Sequence, residues 1–169
     1  TVGKAMSVLA NLHVDMVNLH ASGGSAMMRA AIDALTAPDG TRPLLIAVTQ
    51  LTSTSQKMLE EEILIPEAVD QVVASYARNA QASGLDGVVC SPREVEFVKA
   101  ACGTKFLTVT PGIRFADAAA DDQVRVATPA GARAAGSDFI VVGRPITAAD
   151  DPVAAYKRCC AEFLGEVND

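Results

Sequence analysis

The sequence predicts an α/β fold: about the last five strands and helices of a (β/α)8 barrel, forming a single domain over residues 1–169. Three observations carry this reading. Short, nearly continuous apolar runs alternate with longer amphipathic stretches, the pattern of parallel strands covered on both faces. The first helical pattern has no strand before it. Two turns bearing glycine and arginine follow the last two strands, whereas an open doubly wound sheet usually carries its phosphate turn after the first.

The elements follow in order. A helix is expected at about 3–12, then a strand at 16–21 and a helix at 24–36 that sets the Met27-Met28 pair in the core. A second strand is expected at 43–50. In the stretch 66–83, Val69, Val72, Val73, Tyr76, Ala77 and Ala80 recur at helical spacing, with Pro66 suited to the first turn and Gly84 to the exit. Further strands are expected at 87–91, 105–110 and 138–143. Ser91-Pro92, Thr128-Pro129 and Asp151-Pro152 each pair a capping side chain with a proline and so open helices. The last helix runs to Leu164, with Val153, Tyr156, Cys160 and Phe163 on one side and Gly165 as its stop.

Composition narrows the function classes. Fourteen basic and twenty acidic residues give a net charge of −6, and no Lys/Arg cluster stands out, so no nucleic-acid partner is expected. No apolar run approaches membrane length, so no membrane partner is expected either. The four cysteines, Cys90, Cys102, Cys159 and Cys160, form no C-x-x-C pair, and there are only two histidines. No metal site is expected, and the thiols are read as free and buried in a reducing cytoplasm.

The candidate chemistry lies at the strand ends. Val109-Thr110-Pro111-Gly112-Ile113-Arg114 and Val142-Gly143-Arg144-Pro145 each place a glycine turn and a guanidinium where the next helix begins. Backbone N–H groups together with an arginine fork suit a phosphate dianion, so the chain is expected to bind a sugar phosphate. The long Ala- and Asp-rich segment 115–126 could close over that anion and bring Gln123 to it; an exposed polar residue is the equal alternative. Thr49-Gln50-Leu51-Thr52-Ser53-Thr54 suits the edge of a neutral heterocycle or, equally, an ordinary helix cap. His20 could face the same mouth, although a packed structural histidine is the commoner outcome. No Ser-His-Asp set, Walker loop or carboxylate–lysine pair stands at these strand ends.

At these residues the sequence resembles the bacterial orotidine 5′-phosphate decarboxylase family over the whole chain. The resemblance runs through Val17-Asn18-Leu19-His20-Ala21, Val48-Thr49-Gln50-Leu51-Thr52-Ser53, Gly87-Val88-Val89-Cys90-Ser91, the turn ending at Arg114, Asp122-Gln123, and Gly143-Arg144-Pro145-Ile146-Thr147. It implies a homodimeric, cytoplasmic (β/α)8 lyase of pyrimidine (UMP) biosynthesis that decarboxylates orotidine 5′-monophosphate without metal or organic cofactor. By motif, Arg114, Gln123 and Arg144 would hold the phosphate with the backbone of Gly143, and Thr52 would bond the pyrimidine edge. The family's Asp-x-Lys-x-x-Asp-Ile-Pro-Asn-Thr signature would end at Thr1, near the ribose and in a segment shared across the dimer interface.

The catalytic lysine and carboxylates are then expected upstream of Thr1. The opening Thr1-Val2-Gly3-Lys4, without an initiator methionine, reads as a cut edge; the isolated chain is expected to be inactive and to need a complementary N-terminal segment. His13 stands where relatives commonly have glycine and is expected in a left-handed turn conformation. Two rival readings are a related phosphosugar decarboxylase or aldolase, and a non-catalytic phosphate-binding module.

Overall fold

The structure, a computed structural model, describes residues 1–117 and 127–166. Helix α1 (Val2–Ala10) leads into β1 (Met16–His20), followed by α2 (Gly24–Leu35) and β2 (Leu44–Val48). Helices α3 (Gln56–Glu61) and α4 (Val69–Ala82) precede β3 (Gly87–Val89). A 3-10 turn at Pro92–Glu94 runs into α5 (Val95–Cys102), then β4 (Leu107–Thr110), α6 (Pro129–Ala134) and β5 (Phe139–Ile140). Helices α7 (Arg144–Thr147) and α8 (Pro152–Leu164) follow.

All neighbouring strands are parallel, and their order is β1-β2-β3-β4-β5. A doubly wound sheet reverses direction at a switch point. This sheet never does, so it is a five-stranded arc of a barrel wound in one direction, as the sequence predicted. Alternation sorts its faces. Val17, Leu19, Leu45, Ala47, Val88 and Cys90 join the helix-side core with Met6, Met28, Val73, Ala77, Val95 and Val98. On the inner face Asn18 and His20 are exposed. Phe139 on β5 and Val141 just after it are 46% and 50% exposed.

The predicted caps hold. Ser91 accepts from Arg93 N, Thr128 from Gly131 N, and Asp151 from Val153 N and Ala154 N. Gly165 ends α8 in the left-handed conformation. Two expectations are corrected. Pro66 lies outside α4, which starts at Val69 because the Gln56 amide, receiving Val69 N–H and donating to Glu67 O, closes the chain there. In α8, Val153 and Tyr156 are exposed and the helix buries Cys159 and Ala161. Its apolar stripe instead lines a groove of about 590 Å³ beside Phe139, Ile140 and Val142.

At the starts of three strands the chain repeats one local device. His13-Val14-Asp15, Gly84-Leu85-Asp86 and Gly136-Ser137-Asp138 each put a positive-φ residue (52°, 91° and 90°) two places before an aspartate. The aspartate then opens the strand. Asp86 accepts Leu45 N–H at 2.7 Å and pairs with Arg42 through both carboxylate oxygens. Asp138 accepts Thr108 N–H at 2.7 Å, Thr108 Oγ1 at 3.0 Å and Lys99 Nζ at 2.6 Å. Each staple fixes a strand against the one before it.

Burial pushes the Asp138 carboxyl up, but hydrogen bonds from Lys99 and Thr108 outweigh it and hold the group below the ordinary carboxylate range. A depressed folded-state value means that its stabilisation is complete above the unfolded value of about 4 and is lost as pH falls through the folded one. Asp138→Asn is therefore expected to lower Tm at pH 7, with the gap to wild type narrowing below about pH 4. Melts of both proteins across pH check this; a constant gap would contradict it. His13→Gly, which relieves a left-handed β-carbon, is expected to stabilise by about 1 kcal/mol, or roughly 2–4 °C in Tm.

Candidate phosphate and pyrimidine site

Strands that share a direction deliver all their C-terminal turns to one end of the sheet. β4 and β5 are neighbours, with Val109 opposite Phe139 and Thr110 opposite Ile140. The turns carrying Arg114 and Arg144 therefore leave the sheet side by side. In the first, Gly112 has φ of 82°, a conformation a glycine adopts without strain. Its two ends are tied across the long segment: Arg114 N–H donates to Ala127 O at 3.0 Å, and Ala127 N–H to Gly112 O at 3.2 Å. The Arg114 guanidinium donates to its neighbour's carbonyl, Ile113 O, at 2.8 Å.

Arg144 is the first residue of the one-turn helix α7, as expected for a guanidinium set where the next helix begins. Gly143 caps it, with its carbonyl accepting from Ile146 N and Thr147 N at 2.9 and 3.0 Å. The root of the segment after Arg114 is clamped from α8. Arg158 donates to both carboxylate oxygens of Asp117 at 3.0 Å and lies 4.1 Å over the Phe115 ring. This partnership holds Asp117 below the usual carboxylate range and raises Arg158. Gln123 lies outside the described residues.

The hydroxyl run after β2 divides its labour. Thr49 is buried and donates to Val89 O at 2.9 Å, and Ser55 caps α3 by accepting Met58 N–H, so these two are structural. Thr52, with Gln50 and Ser53, lines a cavity of about 280 Å³ whose other walls include Val89 and Pro111. The cavity therefore joins the Thr52 loop to the base of the Arg114 turn. His20 is exposed at the end of β1. Thr1 caps α1, which runs back towards the start of β1, so Thr1 lies at the same end of the sheet but at the edge farthest from Arg144.

Sequence reading missed Glu94, a carboxylate only 1% exposed in the turn after β3. Its Oε2 accepts Ser91 N–H at 2.7 Å and completes a capping box with Ser91. The S-x-x-E spacing was the available signal. Lys99 and Asp138 do form a carboxylate–lysine pair, but at the strand starts, away from these turns. Of the four cysteines, Cys90 and Cys159 are buried and the other two half-buried.

A sheet of parallel strands wound in one direction, with helices between them and two arginine-bearing glycine turns at the ends of adjacent strands, defines a protein of the (β/α) barrel class. The sequence profile described as orotidine 5′-phosphate decarboxylase / HUMPS family matches residues 1–159. An orotidine 5′-phosphate decarboxylase of Geobacillus thermodenitrificans is 57% identical over 168 residues, covering 98% of this chain and 70% of that protein. One of Shouchella clausii is 58% identical over 170 residues, with 98% and 70% covered. The crystal structure of the Lactobacillus acidophilus orotidine 5′-phosphate decarboxylase superposes with a TM-score of 0.81 at 42% identity, covering 96% of this chain and 69% of that one. The chain belongs to the orotidine 5′-phosphate decarboxylase / HUMPS family.

Because Glu94 satisfies a buried N–H, Glu94→Ala is expected to cost about 1–3 kcal/mol, and Glu94→Gln, which keeps an acceptor, distinctly less. Denaturant unfolding of the two variants checks the order.

Proposed function

We propose that this chain carries the phosphate- and pyrimidine-binding part of an enzyme that decarboxylates orotidine 5′-monophosphate to UMP. The observation that carries the reading is the adjacency of the Arg114 and Arg144 turns, next to the Thr52 cavity, in a chain more than half identical to decarboxylases of that name. Arg114 and Arg144 hold the phosphate with the Gly143 backbone, and Gln123 adds to it. Thr52 reads the pyrimidine edge. Thr1, far from Arg144 within one chain, serves the site across a homodimer interface. Among the described residues no helix is long and apolar enough to cross a membrane, and we place the enzyme in the cytoplasm.

The reaction breaks one carbon–carbon bond. Carbon dioxide leaves, its bonding pair stays on the ring carbon, and a proton takes its place. The acid is a lysine of the family signature that ends at Thr1, supplied by a complementary segment. Phosphate contacts distant from the reacting carbon still raise turnover when their binding energy orders the closed site.

The test follows the loss of orotidine 5′-monophosphate with this chain alone and with the remaining part of the Geobacillus thermodenitrificans relative added. The chain alone is expected to be inactive and the mixture active. In the active form, Arg144→Ala is expected to lower kcat/KM at least about a hundredfold, ~3 kcal/mol, the scale of charged hydrogen bonds lost from the transition state. A near-normal kcat/KM would remove the phosphate seat.

A further inference from the structure

We propose that Arg158 of α8 is a positioning residue for the phosphate seat. It holds the outgoing limb of the Arg114 turn from a helix that also braces the Arg144 turn, so that the two arginines meet one phosphate together. This deepens the proposed function and rests on its phosphate reading.

The Arg114 turn is gripped from two sides. On the strand side Ile113 is buried, Arg114 N–H donates to Ala127 O, and Ala127 N–H donates to Gly112 O. Beyond Arg114 the limb runs through Phe115 to Asp117, and there the grip comes from α8. The Arg158 guanidinium lies 4.1 Å over the ring of Phe115, the buried residue that follows Arg114 directly. Its Nη1 and Nη2 each donate to one Asp117 oxygen at 3.0 Å. Its Nε donates to Glu162 Oε1 at 2.8 Å, one turn further along the same helix.

Every nitrogen of the group is thus engaged, and partners on two elements set its plane. A lone exposed ion pair orders little, but a two-point fork inside a charge network is the exception. A lysine ammonium is a point charge and cannot cover a ring, fork a carboxylate and hold a second one at once.

The other end of the brace is α7. Helix α8 packs against α7, whose first residue is Arg144, and Ile146 of α7 lines the same groove as Tyr156 and Cys159 of α8. One helix of 13 residues therefore touches the flanks of both arginine turns. The ladder between β4 and β5 stops at Thr110 and Ile140, well short of Arg114 and Arg144. A tie beyond the ladder fixes the separation of the two guanidinium groups, and a seat set in advance spends less of its binding energy on ordering.

Titration calorimetry tests this with UMP and with uridine, which lacks the phosphate. The 169-residue chain is measured alone and with the remaining part of the Geobacillus thermodenitrificans relative. Arg158→Ala is expected to weaken UMP binding about tenfold and to leave uridine binding nearly unchanged, with Arg158→Lys recovering only part of the loss. Asp117→Ala breaks the same grip and is expected to weaken UMP too, with the double variant no weaker than Arg158→Ala. Lys157→Ala, which removes an equal charge next door, is expected to bind both as wild type does.

A charge acting only through space moves the two single variants in opposite directions, so tighter UMP binding in Asp117→Ala overturns the proposal. Wild-type UMP affinity in Arg158→Ala, or an equal loss for UMP and uridine, also overturns it. Should Arg158→Ala fail to fold, the exposed Asp117→Ala carries the same test. A wild-type chain that prefers UMP over uridine while ignoring Arg158 and Asp117 keeps the phosphate reading and removes this inference alone. No preference for UMP in either form removes both.

Discussion

The staple that each strand-start aspartate makes to the preceding strand is the constraint on which the rest of the structure depends. Parallel strands pair through evenly spaced, slanted hydrogen bonds, and nothing in such a ladder alone distinguishes one register from the next. A one-residue slip would turn every side chain of a strand to the other face. Asp86 and Asp138 remove that freedom by binding a particular N–H, Leu45 or Thr108, and by drawing in a particular cation. With the starts of the strands level, their C-terminal ends are level too. The turns of Arg114 and Arg144 stand beside each other because Asp138 sets β5 against β4.

The two ends of the sheet consequently hold charge differently. At the strand starts, Arg42 and Lys99 are matched by carboxylates and their donors are spent on protein oxygens. At the strand ends, Arg114 and Arg144 accompany glycine turns, the arrangement on which the proposed phosphate seat rests. In a net acidic chain an anion seat depends on local positive charge, which Arg114 and Arg144 would supply.

Much of this was legible in the sequence where one residue decides one conformation. Proline after a capping side chain located three helix starts, and the glycine homologous to His13 pointed to a positive φ that the structure shows at 52°. The strands were legible because fully buried parallel strands leave uninterrupted apolar runs. What stayed hidden depends on partners distant in the chain. Helix α3 is too short for periodicity to register, and its Gln56 sets the start of α4 through contacts to Glu67 and Val69. Arg158 read as one charge on a helix surface, yet it grips Asp117 and Phe115 some forty residues away. The apolar stripe of α8 was correctly read as apolar, but periodicity alone does not say which face a neighbour covers.

That stripe bears on how the site and the fold are coupled. Tyr156 of α8 lines the same groove as Phe139 and Val141, and all three expose apolar surface beside β5. The same arc carries Arg114, Arg144 and Thr52, so the geometry of the proposed site depends on the staples that set its strands.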